Sequence, residues 1–467
     1  MSFALSVLYF VTYYITPATI FGPLADYRIE LILAVLVFFV SVPAVAKSLI
    51  LKTPQSVALI GLTVAVFLSV LIESRWPRGA MQAFLDFIPS IYAYFLVCLH
   101  CNSKKKLQII ILMMLFVCLF VIAHGATDLF WGGPGGSRIS SESAEDVGSD
   151  QWETKHPYLF TMKDKEGTLL YRVRGLGGIN DPNDFAQLIV CVIPLMFIFW
   201  RSKKTLRNLV FVLLPVGVLL YGIFLTHSRG ALLAILAVAV MAGRRRIGTI
   251  PSVLLAVGLF AAAMALNFTG GRDISVNAGE DRTQLWSDGL QLLKSHPLFG
   301  VGMNNMPEYT DSHQTAHNSV VVCAAELGLF GLAFWSLFLL PTIRDALAAA
   351  SPAKVSEGEP IEPEETLFPQ AAQEVEAIDK AEINRLGSLL VLSLTGFLVA
   401  AWFLSRAFVM TFFLMGGMVE VVFEMALERG MIAPRLQMAR ALRYSGILAV
   451  ALILMMYVML RIMNLMH

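Results

Sequence analysis

The chain has 467 residues, of which 57% are hydrophobic and 15% charged, and its mean hydropathy is +0.69. A typical soluble domain carries about 25% charged residues, so this composition excludes a soluble multi-domain protein, which could not hide so much apolar surface from water. Thirty-five Lys and Arg against 34 Asp and Glu leave a formal net charge of +1, which gives no reason to expect nucleic acid as a partner.

The apolar residues fall into blocks of about 17–25, the length that crosses a hydrocarbon core of about 30 Å as a helix. In chain order the predicted spans are 3–22, 30–46, 56–73, 81–99, 107–131, 184–200, 208–226, 230–243, 249–267, 319–341, 387–405, 408–426 and 445–463. The first block begins at Met1 with no basic flank and no small-residue cleavage site, and reads as a retained span. The expected fold class is all-α, a polytopic transmembrane helical bundle of 12 or 13 spans. With the N-terminus inside, the short loops on that face carry sixteen Lys and Arg against six on the other, the asymmetry that sets orientation.

Seven segments follow from this pattern: N-terminal spans 1–131, an outer loop 132–183, spans 184–267, a second large outer loop 268–318 carrying short helices, span 319–341, an acidic cytoplasmic linker 342–386, and C-terminal spans 387–467. Within the linker, residues 347–384 are rich in Pro and Glu with few aromatics and read as disordered. The five cysteines (Cys98, Cys101, Cys118, Cys191, Cys323) lie in or beside apolar blocks. None falls where a disulfide framework would sit, and Cys98-x-x-Cys101 has no second pair to complete a metal site.

Chemistry is concentrated in the two outer loops. In the first, Arg172 and Arg174 precede three glycines, Pro182 and the pair Asn183 and Asp184. Such a turn admits close backbone approach, and Asn183 or Asp184 can cap the next helix; the arginines are the better ligand candidates. Asp181 and Asp184 also suit a divalent ion. Thr226-His-Ser-Arg-Gly-Ala231 joins two spans and puts Arg229 at the outer boundary, where snorkelling is the competing explanation. Arg272 and Arg282 lie in the second loop. The planar guanidinium fork matches phosphate oxygens, so this set suits a lipid-linked phosphate or pyrophosphate, unless the arginines pair with Asp181, Asp184, Asp281 or lipid headgroups.

From Asp281 the second loop turns amphipathic, with Leu285, Leu290, Leu292 and Leu293 on one side and His296-Pro297 at its end, the pattern of a helix lying on the bilayer. It then delivers His313 and His317 to span 319–341, with Asn318 or Ser319 as the cap. Histidine titrates near neutral pH, so His317 is the best general-base candidate, weighed against a merely solvated loop histidine. Glu326 lies inside an apolar run and is expected to pair with a cation or take up a proton. Glu420 and Glu424, spaced i,i+4, are expected to pair structurally. His313 and His317 have no evident third zinc ligand, and no HExxH, GxSxG or Walker A motif occurs.

Four stretches carry a resemblance: Arg174 through Asn183, Thr226 through Gly230, Arg282 and Trp286 leading to His296-Pro-Leu-Phe-Gly-Val-Gly302, and His317 through Gly331. Over residues 170–331 the chain resembles the bacterial O-antigen ligase and O-antigen polymerase superfamily of membrane glycosyltransferases, whose fold is glycosyltransferase-C-like. The resemblance implies metal-independent, inverting transfer of a glycan from undecaprenyl diphosphate to an acceptor hydroxyl, that of lipid A core or another glycan acceptor. The active site would face the periplasm from a multi-pass protein of the bacterial inner membrane, with membrane lipids as surroundings and neither cofactor nor nucleic acid. Arg229 and Arg282 would bind the diphosphate and His317 would deprotonate the hydroxyl. Arg174 would assist donor binding, and Arg172, Asn183, His313, Asn318 and Glu326 complete the candidate substrate-binding set. His227 and the 347–384 insertion are atypical. An O-antigen or exopolysaccharide polymerase and a protein O-glycosylating ligase share these motifs; the single large outer loop before span 319–341 favours the ligase. A lipid-linked glycan transporter would need mid-depth charges in several spans, and the spans before residue 170 are nearly free of them.

Overall fold

Every apolar block of the sequence lies on a helix in the computed structural model, which describes residues 2–132, 156–163, 169–265, 268, 277–351 and 380–466. The main helices are α1 (Ser2–Ile15), α2 (Ile29–Lys47), α3 (Pro54–Ser74), α4 (Pro77–His100), α5 (Lys104–Trp131), α6 (Pro182–Met196), α7 (Thr205–Thr226), α8 (Arg229–Ile247), α9 (Thr249–Ala265), α10 (Asn277–Ser295), α11 (Ser319–Ala350), α12 (Lys380–Ala401), α13 (Met410–Leu427) and α14 (Met438–Met466). Among the described residues ten helices are long and apolar enough to cross a membrane, with α1 and α9 as shorter apolar helices. The protein is a polytopic helical membrane protein. The Arg272 expectation, the Asp281 pairing and most of the disordered-linker reading (352–379) fall outside the described residues or side chains.

The helix starts have local causes. Pro54, Pro77 and Pro182 each open a helix, where a fixed φ helps and a missing N–H costs nothing. One feature was not legible in the sequence: the first outer loop carries an antiparallel hairpin, β1 (Leu159–Lys163) with β2 (Leu169–Val173), pairing Phe160 with Arg172.

The chain forms two compact units, interleaved in sequence. One comprises Met1–Val40, Lys105–Ile274 and Leu392–Ala400, the other Ser41–Lys104, Ser275–Val391 and Ala401–His467. The first is organised on α6, buried without interruption from Asp184 to Met196. Lipid tails are as apolar as leucine, so helix association here rests on close packing and hydrogen bonds. Gly396 accordingly faces Val190 and Val238, the Ser393 hydroxyl donates to the Cys191 carbonyl, and Gln187 Nε2 donates to the Phe397 carbonyl at 3.2 Å.

The second unit is organised on α13, buried from Met410 to Ala426. Phe338 of α11 meets Tyr94, Phe412 and Phe413 with ring centroids 5.7, 5.0 and 5.2 Å away, all steeply tilted, the edge-to-face geometry aromatic quadrupoles favour. Arg435, in the connection after α13, reaches Glu420 and Glu424, the latter at 2.8 Å. Asp345 takes Arg344 at 2.7 Å and Gln55 at 2.8 Å. The expected structural role of Glu420 and Glu424 is thus observed, with Arg435 as the partner.

Candidate functional site

The first unit holds Arg172, Arg174, Asn183 and Arg229. Arg172 is 2% exposed; its Nε donates to the Thr226 carbonyl at 2.7 Å and its Nη2 to Asn183 Oδ1 at 2.9 Å. One guanidinium therefore ties β2 to the start of α6 and to the end of α7, directly before the turn that carries Arg229. That turn is tight: His227 sits at φ +47°, its Nδ1 2.8 Å from the Phe268 carbonyl oxygen, and Ser228 is the N-cap of α8, so half-buried Arg229 is the first helical residue. A helix N-terminus with its exposed N–H groups and an arginine is a good place for an anion. Arg174 is half-buried, with Nε 3.1 Å from the Pro157 carbonyl.

One expectation is corrected in this region. Asp181, rather than Asn183 or Asp184, caps α6, its Oδ1 accepting the Asn183 N–H at 2.7 Å. Arg172 and Asn183 are bonded to each other, the arginine buried and the asparagine half-buried.

The second unit holds Arg282, His313, His317, Asn318 and Glu326, gathered around the start of α11. His317 is half-buried at φ +46°, a left-handed backbone that costs a non-glycine residue about 1–2 kcal/mol. Hydrogen bonds on both sides keep it there. Its N–H donates to Ser405 Oγ at 2.9 Å, and the same hydroxyl pairs with Thr315 Oγ1 at 2.5 Å. On the other side Ser319 Oγ donates to the Leu404 carbonyl at 2.7 Å and accepts the Arg406 N–H at 3.0 Å. Between them Asn318 caps α11, its Oδ1 accepting from Val320 and Val321 at 2.9 and 3.2 Å.

Trp286 of α10 donates its indole N–H to the Ala316 carbonyl at 2.8 Å and stacks edge-on against Trp402 at 6.2 Å. Arg282 lies four residues earlier, about 6 Å along the helix, with its guanidinium 6.0 Å from the Phe403 ring centroid. The 402–406 turn thus receives Arg282 and the segment bearing His317 together. Asn318 is fully buried, its Oδ1 engaged in the cap and its Nδ2 without a hydrogen-bond partner among the described residues. His313 is exposed at φ +52°, its Nδ1 3.2 Å from the Pro307 carbonyl oxygen.

Of the two alternatives expected for Glu326, a cation partner or a bound proton, the first is not met among the described residues: main-chain N–H groups of Asn304 and Met306 face its carboxyl, and its Oε2 is buried without a hydrogen-bond partner. The reason is a break in α11 at Gly328, φ +63°. In an unbroken helix Leu329 and Phe330 would donate to the carbonyls of Ala325 and Glu326. Instead they donate to Pro297 and Leu298 at 2.8 and 3.1 Å, while Val301 and Gly302 donate to Ala325 and Glu326 at 3.0 and 2.9 Å. Segment 297–302 is laced into the helix like a strand, leaving none of these four pairs unmet, as burial at membrane depth demands. Glu73 of α3 steadies this loop, taking Tyr309 at 3.0 Å and His296 at 3.1 Å. Burial, reinforced by Glu73, raises the Tyr309 phenol above its usual range and keeps it a donor.

Ser405, Thr315 and Ser319 were not anticipated as site residues. The one sequence signal was the polar Ser405-Arg406 step between two apolar blocks. Among the described residues no group of three or more His, Cys, Asp or Glu is placed to hold a metal ion, and the five cysteines are buried and unbridged.

Residues 214–336 match the family model described as O-antigen ligase. The matched segment includes Arg229, Arg282, His317 and the Gly328 break; Arg172, Arg174 and Asn183 lie before it. No match is found among curated proteins. The match supports a lipid-linked glycan ligase or polymerase family.

Proposed function

We propose that the protein carrying this O-antigen ligase domain transfers a glycan from undecaprenyl diphosphate to an acceptor hydroxyl, that of lipid A core, at the periplasmic face of the bacterial inner membrane. A ring nitrogen of His317 takes the proton of the acceptor hydroxyl as its oxygen attacks the anomeric carbon. The bond from that carbon to the diphosphate breaks, and the leaving group departs with the electron pair. Arg229 and Arg282 neutralise the charge that grows on it, which is catalysis by preorganised electrostatics. Attack opposite the leaving group inverts the anomeric centre, and no metal ion enters the step.

The observation that carries the reading is the mouth of α11. A histidine is held in a costly backbone conformation by Ser405 and by the Asn318 cap, and an arginine stands one helical turn from the tryptophan that grips the preceding residue. Strain held by several convergent contacts is characteristic of functional positions.

The test is to delete the gene in its host and examine envelope glycans. Full-length chains retained on undecaprenyl diphosphate beside bare lipid A core are expected. Single repeats capping the core would instead mark a polymerase, and an intact envelope with unglycosylated proteins a protein ligase.

A further inference from the structure

The C-terminal halves of α10 and α14, both in the second unit, flank an open cleft of about 960 Å³ lined by neither His317 nor Arg282. Two helical faces make its walls. From α10 come Leu290 and Lys294, one turn apart; from α14 come Leu454, Tyr457 and Arg461, spaced i, i+3, i+7. The apolar members on α14 are exposed, Leu454 at 57% and Tyr457 at 62%. Both cations stand toward the C-terminal ends of their helices, and among the described residues no Asp or Glu lines the cleft. Among the described residues Lys294 and Arg461 have no ion-pair or hydrogen-bond partner. The nearest acid along α10, Asp288, takes Gln284 Nε2 at 2.8 Å. Arg461 and Leu454 are about 10 Å apart along the helix, which sets positive charge at one end of the cleft and an apolar wall below it.

We propose that this cleft binds a phospholipid with an anionic headgroup, its phosphate taken by Lys294 and Arg461 and an acyl chain laid along Leu454 and Tyr457. The charge selects the ligand: two cations without a counter-acid favour net negative headgroups over zwitterionic ones. The bound lipid sets the depth of α10, whose adjacent face carries Arg282 and Trp286, and so ties the candidate site to membrane composition.

The test is native mass spectrometry of the full chain released from nanodiscs of equimolar phosphatidylglycerol and phosphatidylcholine. Wild type is expected to retain phosphatidylglycerol selectively. Each cation contributes about fivefold, so Lys294→Ala with Arg461→Ala is expected to lower that retention roughly thirty-fold and to leave phosphatidylcholine unchanged. Leu454→Trp, which keeps both cations and fills the acyl path, is expected to lower it as well, and guards against a double variant that fails to insert. Equal phosphatidylglycerol retention by wild type and either variant would overturn the proposal. Displacement of the retained lipid by added undecaprenyl diphosphate would overturn it too, by assigning the cleft to the donor.

Discussion

The Ser405 hydroxyl accepts the main-chain N–H of His317 at 2.9 Å, across 88 residues of sequence. This bond and the Asn318 cap hold the histidine at φ +46°, so the direction in which its side chain leaves the main chain is set by groups that need never touch substrate.

Ser405→Ala removes that acceptor, worth about 1 kcal/mol. The expected result is a fall of about fivefold in kcat with an unchanged KM for donor, and recovery in Ser405→Thr. His317→Gly separates fold from chemistry: it relieves the left-handed strain and is expected to match or exceed wild-type thermal stability, while glycan transfer is lost. Transfer at the wild-type rate by a verified His317→Ala or His317→Gly protein would remove the base role.

Arg229→Lys and Arg282→Lys keep the charge and lose the planar two-pronged fork. Each is expected to lower kcat/KM for lipid-linked donor by about a hundredfold without altering membrane insertion. Lysine variants that turn over like wild type would show that simple charge suffices.

The Arg172–Asn183 bond joins two elements around a buried guanidinium. Unfolding of Arg172→Ala, Asn183→Ala and the double variant in detergent is expected to give a coupling energy of about 1–2 kcal/mol. Strict additivity would contradict the staple.

Gly328 is the hinge of α11. An added Cβ would come within 2.4 Å of Leu298 main-chain atoms, at a positive φ. Gly328→Ala is therefore expected to cost at least about 2 kcal/mol and to lower the unfolding temperature sharply. Gly217→Ala, where a Cβ meets nothing within 4 Å, serves as the control and is expected to change little.

Purified protein assayed with chelator is expected to retain full transfer activity. A loss rescued by one divalent ion would overturn the metal-free step.

The candidate site residues could be named in advance, but the groups that surround them could not. Arg229, Arg282 and His317 stood out because charge is scarce in an apolar chain. Arg172 and Asn183 looked alike at that level, and only the 2.9 Å bond between them shows that they serve each other. Glu326 was rightly singled out as costly; its partners proved to be amides twenty residues upstream, which have no sequence signature.

Ten span-length helices among the described residues and the amphipathic α10 were legible in the amino-acid order, because the length and spacing of apolar residues are local properties that lipid and water read directly; the 230–243 block, ending in Arg244–Arg246, does not reach span length and apolarity. Tertiary structure alone decided how residues 297–302 enter the break in α11 and how the 402–406 turn holds the residues around His317. Those arrangements depend on main-chain hydrogen bonds between distant segments, and a main-chain N–H or carbonyl is the same in nearly every residue, so no side-chain pattern could announce which ones would meet.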